Sequence, residues 1–136
     1  MTITAAIPYL ILNGKADEAV AFYQRALGAK VETLQRFGDM DKNCPEAMKN
    51  HVMHAQLRVG SAVLMLSDGS PQSKVQPGGT VNVALALDDT AQGRECFNAL
   101  SENGTVFQAL MDAPWGALFG AVRDRYGIDW MFNVTK

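Results

Sequence analysis

His51 and His54 are the chain's two imidazoles, and they stand three residues apart at the start of a β-rich run. Side chains three apart on a strand point to opposite faces, so the two cannot hold one ion without a bend or bulge. His54, the strand histidine, has the chemistry of a general base or of an anchor for a polar ligand. The simpler reading is an imidazole that satisfies a backbone group beside the hairpin turn. The two cysteines, Cys44 in a polar segment and Cys96 in a helical one, match neither a CxxC pair nor a disulfide framework and read as free thiols. Asp68, Asp88, Asp89 and Asp124 end strands or open turns, where capping accounts for them. No Ser/His/Asp or Cys/His arrangement and no carboxylate pair can be assembled from spacing, so no residue is assigned a catalytic role. What remains is a set of rings and thioethers: Tyr9, Trp115, Phe119, Tyr126 and Trp130 with Met65 and Met131. Such groups fill a core or line an adaptable apolar pocket.

The elements that position these groups follow from periodicity. Ile7–Leu12 is an apolar run closed by Asn13-Gly14, a strand entering a turn. From Ala16 the apolar residues fall at 16, 19, 20, 23 and 27, one helix face, and Gly28 stands where a helix C-terminus favours a left-handed residue. Val31–Phe37 reads as a second strand and Gly38–Asn50 as a long mobile loop. Val52–Val59 and Ala62–Leu66 flank Gly60-Ser61, a two-residue hairpin turn. Asp68–Gly79, rich in Gly, Pro and Ser, reads as a linker. The pattern then restarts: a strand at Val81–Leu87, caps at Asp88-Asp89-Thr90, and a helix through Cys96, Phe97 and Leu100 ended by Gly104. Strands follow at Val106–Leu110, from about Leu118 to Arg123, and at Ile128–Val134, the last two joined by Arg125-Tyr126-Gly127.

The order βαβββ therefore occurs twice. Phe22 and Phe97 lie 75 positions apart, as do Pro8 and Val83, and Val31 and Val106, while Gly60 and Gly127 lie 67 apart. An ordered set of matches at a fixed offset marks an internal duplication. The expected fold is α+β, a single domain over 1–136 with module one at about 1–68, a linker at about 69–79 and module two at about 80–136. Two half-sheets that cannot each bury both faces would pair as mixed sheets around a cleft, the natural ligand site.

Composition narrows the function. With 48% hydrophobic and 19% charged residues the chain is too apolar for disorder. A formal charge of −2, without a Lys/Arg run, gives no footprint for nucleic acid or an anionic membrane. No basic leader and no long apolar window is present, so a cytoplasmic location is expected.

Several motifs carry a resemblance. Pro8-Tyr-Leu-Ile-Leu-Asn-Gly14, Glu18-Ala-Val-Ala-Phe-Tyr23, Leu27-Gly-Ala29, Met53-His-Ala55, Leu64-Met-Leu-Ser-Asp68, Phe119-Gly120 and Asp124-Arg-Tyr-Gly127 with Trp130-Met131 are similar to the PhnB-like branch of the glyoxalase, bleomycin-resistance and extradiol-dioxygenase superfamily, the vicinal-oxygen-chelate proteins. The resemblance implies paired βαβββ modules and, in the metalloenzymes, four inward-facing ligands to a divalent ion. Those places fall at about Pro8, Met65, Asn82 and Met131, none a suitable ligand for such an ion. Some members of the branch carry a methyltransferase name, but the Gly-rich strand-to-helix loop expected of a cofactor-binding methyltransferase is missing. The resemblance also implies a homodimer.

The expectation is a metal-free protein with no cofactor that holds a small, partly apolar ligand at Tyr9, His54, Met65, Asn82, Trp115, Phe119, Trp130 and Met131. The alternatives are a metal-dependent lyase, isomerase or dioxygenase of the glyoxalase type with ligands such as His54, and a structural or regulatory partner protein marked by an exposed apolar patch.

Overall fold

The computed structural model describes residues 2–70 and 74–136; the middle of the expected linker, Pro71 to Ser73, lies outside the described residues. By its internal contacts the chain divides into two compact units, Met1–Gln24 with Gly28–Val75, and Arg25–Leu27 with Gln76–Lys136.

The first unit runs β1 (Tyr9–Ile11), α1 (Ala16–Leu27), β2 (Lys30–Arg36), a single helical turn α2 (Phe37–Met40), a 3-10 turn (Glu46–Met48), β3 (Val52–Val59) and β4 (Ala62–Ser67). Its sheet has the order β1-β4-β3-β2, with β1 parallel to β4 and the other pairings antiparallel. The second unit runs β5 (Val83–Leu87), α3 (Thr90–Ser101), β6 (Thr105–Asp112), β7 (Ala117–Arg123) and β8 (Asp129–Thr135), with sheet order β5-β8-β7-β6 and the same senses of pairing. Two βαβββ modules with two four-stranded mixed sheets are therefore present, as the duplication requires.

Each sheet has one buried face. In the first it carries Leu10, Ala55, Leu57, Leu64 and Leu66; in the second it carries Leu118, Val122, Trp130, Phe132 and Val134. Burying each of the Leu, Val and Phe side chains among them is worth about 1.5–3 kcal/mol. α3 packs on the second sheet, where Phe97 meets Phe132 edge to face at 5.1 Å. The approach is close enough that a Cβ on Gly93 would stand 2.8 Å from both Val134 methyls, and one on Gly120 would stand 2.8 Å from the Phe97 ring. α1 buries Ala16, Ala19, Val20, Phe22, Tyr23 and Ala26, a wider stripe than the expected 16, 19, 20, 23 and 27, of which Leu27 is only half-buried. It ends as expected at Gly28 (φ 68), whose N–H bonds the Gln24 carbonyl while Ala29 N–H bonds that of Tyr23, an overlapping pair of C-terminal bonds.

The start of α1 is held from far along the chain. Asp68, only 5% exposed, accepts from Ala16 N (2.7 Å) through one carboxylate oxygen and from Val52 N (2.6 Å) through the other. One side chain thus fixes the helix entrance and the head of β3. α3 is capped locally by Asp89, which accepts from Gln92 N at 2.9 Å. The segment expected as a long loop at 38–50 is more ordered in form, with α2 and the 3-10 turn inside it. Asp39 accepts from Arg36 N, Asp41 from Asn43 N, and the Pro45 carbonyl from Met48 N. β6 extends beyond the expected Val106–Leu110, β1 is shorter than expected at both ends, and β5 is shorter at its start.

The duplication extends to irregularities. The edge strands β2 and β6 each carry an extra residue at the same place: the register breaks between Val31 and Thr33, and between Val106 and Gln108, leaving Glu32 and Phe107 bulged. Both neighbour an arginine at the end of the third strand. Arg58 bonds Glu32 at 2.8 Å, and the Arg123 guanidinium lies 5.2 Å from the Phe107 ring centroid. A bulge repeated in both modules re-aims a side chain at the same spot.

Candidate functional site

The open face of each sheet, opposite its buried one, collects most of the residues singled out in the sequence. In the first unit Tyr9 of β1 stands across from Met65 of β4, which stands across from Gln56 of β3. His54 lies two residues before Gln56 and so on the same face. Tyr9 Oη is 3.1 Å from His54 Nδ1, and the two rings are 5.7 Å apart at 36°. His54 therefore bonds a side chain and not the backbone group that a purely structural imidazole would satisfy. Tyr9 is 47% exposed, an aromatic offered to solvent, while His54 and Met65 are half-buried. His51 is set apart, preceding β3 with its N–H on the Met48 carbonyl.

In the second unit Met131 of β8 lies between Ala84 of β5 and Ala121 of β7. Phe119, two residues before Ala121, lies on the same face. Trp115, 63% exposed, stands edge-on to Phe119 at 5.9 Å and donates its indole N–H to Asn133 Oδ1 at 2.8 Å. Tyr9 and Ala84 are 75 positions apart and face Met65 and Met131 respectively. The two methionines thus hold equivalent places, Met65 across from Tyr9 and Met131 between two alanines with Phe119 a diagonal step away. By the same correspondence His54 matches Phe119.

Two expected site residues stand apart. Trp130 is wholly buried on the other face of β8, and its indole N–H donates to Asp124 Oδ2 at 2.9 Å. Asn82 is exposed just ahead of β5, its amide 3.5 Å from the Gly79 carbonyl. Sequence reasoning overlooked Gln56, whose amide donates to Glu32 Oε1 at 2.8 Å. Its two-residue spacing from His54 was the available signal.

The cysteines add nothing to either face. Burial, with a smaller effect from Glu95, pushes the Cys96 thiol up, which disfavours the nucleophilic thiolate. Arg58 and Gln56 hold the Glu32 carboxyl below its ordinary range through hydrogen bonds, so Glu32 is committed as their acceptor.

The chain can be placed among known proteins on this framework. Residues 6–132 match the model of the glyoxalase/bleomycin resistance protein/dioxygenase superfamily. The chain belongs to that superfamily. It is 34% identical to protein YjdN of Escherichia coli K12, over 95% of this chain and 94% of that one. The solved structure of protein PA1353 from Pseudomonas aeruginosa shares 38% identity, with 98% of each chain covered and a TM-score of 0.85. A PhnB protein from Bacillus cereus, described as a putative 3-demethylubiquinone-9 3-methyltransferase, superposes at a TM-score of 0.79 over 97% of this chain and all of its own; at 21% identity the likeness is one of fold.

The superfamily's enzymes imply a divalent ion, and the residues here do not fit one. Pro8 offers a carbonyl already bonded by Met65 N at 3.0 Å, the two methionines are soft thioethers, and Asn82 is a neutral amide; hard divalent ions prefer carboxylate and imidazole. Among the described residues no group of three or more His, Cys, Asp or Glu is disposed to hold a metal. None of the helices among those residues is long and apolar enough to cross a membrane.

Proposed function

We propose that the protein binds a small, partly apolar molecule without a metal ion, receiving it on the open sheet faces, and that it does so as a homodimer. The observation that carries this reading is the equivalence of Met65 and Met131, each on the open face of its sheet, with Tyr9 and His54 on the first face and Phe119 on the second, Trp115 edge-on to it. Unbranched thioethers adapt to irregular ligands, and rings left this exposed serve binding better than folding. Each face mixes polar and apolar groups: the first sets His54 and Gln56 beside Met65, and the second sets Gln108 and Asn133 beside Phe119 and Met131.

A thermal-shift screen of aromatic and heterocyclic compounds tests the reading. At least one compound should raise the melting temperature of the wild type and not that of Phe119→Ala or Met131→Lys, whose unliganded melting should change little because both side chains stand on the open face. A screen without any stabilising compound, or one whose hits survive both substitutions, contradicts it. Size-exclusion chromatography with light scattering should give twice the chain mass.

The rival reading, metal-dependent glyoxalase-type chemistry, would recruit His54. Its Nδ1 is occupied by Tyr9, leaving one imidazole nitrogen and no neighbouring carboxylate among the residues that share its row.

A further inference from the structure

We propose that the first unit's open face selects for an uncharged ligand with a carbonyl-type acceptor, which the Nε2–H of His54 recognises because Tyr9 fixes that tautomer. The proposal rests on the binding role given to these faces above and specifies the chemistry of one of them.

A phenol O–H is a good donor and a poor acceptor, since the oxygen lone pair is conjugated with the ring. Across the 3.1 Å contact to Nδ1 Tyr9 therefore donates. The hydrogen bond made by one imidazole nitrogen sets the state of the other, so the proton resides on Nε2 and is presented to a ligand. Gln56 supplies the complementary group two residues on, about 7 Å along the strand. Its Nε2 donates to Glu32 Oε1 at 2.8 Å, and because a carboxylate only accepts, the amide must be turned with its carbonyl oxygen away from Glu32. A donor and an acceptor thus share one face, with the Met65 thioether and the Tyr9 ring beside them.

Charge decides the class. The groups nearest His54 in these rows, Tyr9, Gln35, Gln56, Met65 and Ser67, carry none. Arg58 gives Nε to Glu32 Oε2 at 2.8 Å and a second N–H to Oε1 at 3.3 Å. Arg36 holds Asp17 through two 3.0 Å bonds and the Asn50 carbonyl at 2.6 Å. Lys30 stands opposite Arg58, four residues along β3 from His54, about 13 Å away. A carboxylate or phosphate set against His54 would lose its hydration without gaining a cation, a net cost; a ketone, amide or lactam oxygen would not.

Long-range proton–nitrogen NMR on the intact protein labelled at histidine nitrogen, at about pH 8, reads the tautomer directly. The expected spectrum has His54 protonated at Nε2 with a bare Nδ1, and Tyr9→Phe should move it toward a mixture. A His54 protonated at Nδ1 overturns the proposal. Titrations with benzamide and with benzoate, followed at the His54 ring, read the ligand class: benzamide should shift the signals saturably, about tenfold more weakly in Tyr9→Phe, and benzoate should leave them in place. Benzoate binding at His54 as tightly as benzamide overturns it. So does an unmoved His54 with benzamide; if the thermal-shift screen still yields ligands, the general binding reading survives alone, and if it yields none, both fall.

Discussion

At the residue scale, Asp124 shows how little of a buried carboxylate here is left for chemistry. It is 3% exposed; its Oδ1 accepts from Tyr126 N and Ile128 N, and its Oδ2 from the Trp130 indole. Asp124→Ala would strand these donors, and urea unfolding should report a loss of about 2–4 kcal/mol. Tyr9→Phe removes one exposed bond, and the same measurement should change by less than about 1 kcal/mol, so any loss of binding in that variant is not a folding defect. For Cys96 the sign is fixed by burial: a thiol pushed up yields less thiolate at a given pH, so mass spectrometry should show it alkylated by iodoacetamide more slowly than an unstructured cysteine peptide at pH 8. The residue types in the sequence named His54, Tyr9, Met65, Phe119, Trp115 and Met131, and all lie on open faces. Trp130 is expected at the site as one of the rings crowded into the last strands, yet as the neighbour of Met131 on a strand it points to the opposite face. The grouping of Glu32 with Arg58 and Gln56 went unread because a bulge on the neighbouring strand β2 brings Glu32 to them, which pattern alone does not reveal.

At the element scale, the close seating of α3 sets two opposing effects against each other. Gly93→Ala gains about 1 kcal/mol of helix propensity but places a Cβ 2.8 Å from both methyls of Val134, and overpacking of this kind costs about 1–3 kcal/mol. The clash should win, and thermal unfolding should show a lower midpoint; an unchanged or higher one would mean that α3 stands off the sheet. Strands, helices and the Gly60 turn were legible because their periods and turn residues are local signals. The α2 and 3-10 turns were not, since they rest on short-range bonds from Asp39, Asp41 and Pro45 in a segment without periodicity. The entrance to α1 was illegible for the opposite reason: Asp68, which caps it, lies 52 residues away.

For the whole molecule, duplication made the architecture readable and divergence between the copies made the function hard to read. A common offset aligned strand, helix and strand, and the observed registers follow it down to the paired bulges. The two open faces are different surfaces, with His54 in one where Phe119 stands in the other, and among the described residues no group of three or more His, Cys, Asp or Glu is disposed to hold a metal. The central claim is that this superfamily member works without a divalent ion. Elemental analysis of tag-free protein, dialysed against Zn, Ni, Mn and Fe(II) and then against metal-free buffer, tests it most directly. The account predicts less than stoichiometric retention of every metal, unchanged in His54→Ala. One equivalent of any of them, retained by the wild type and lost with His54→Ala, would contradict it.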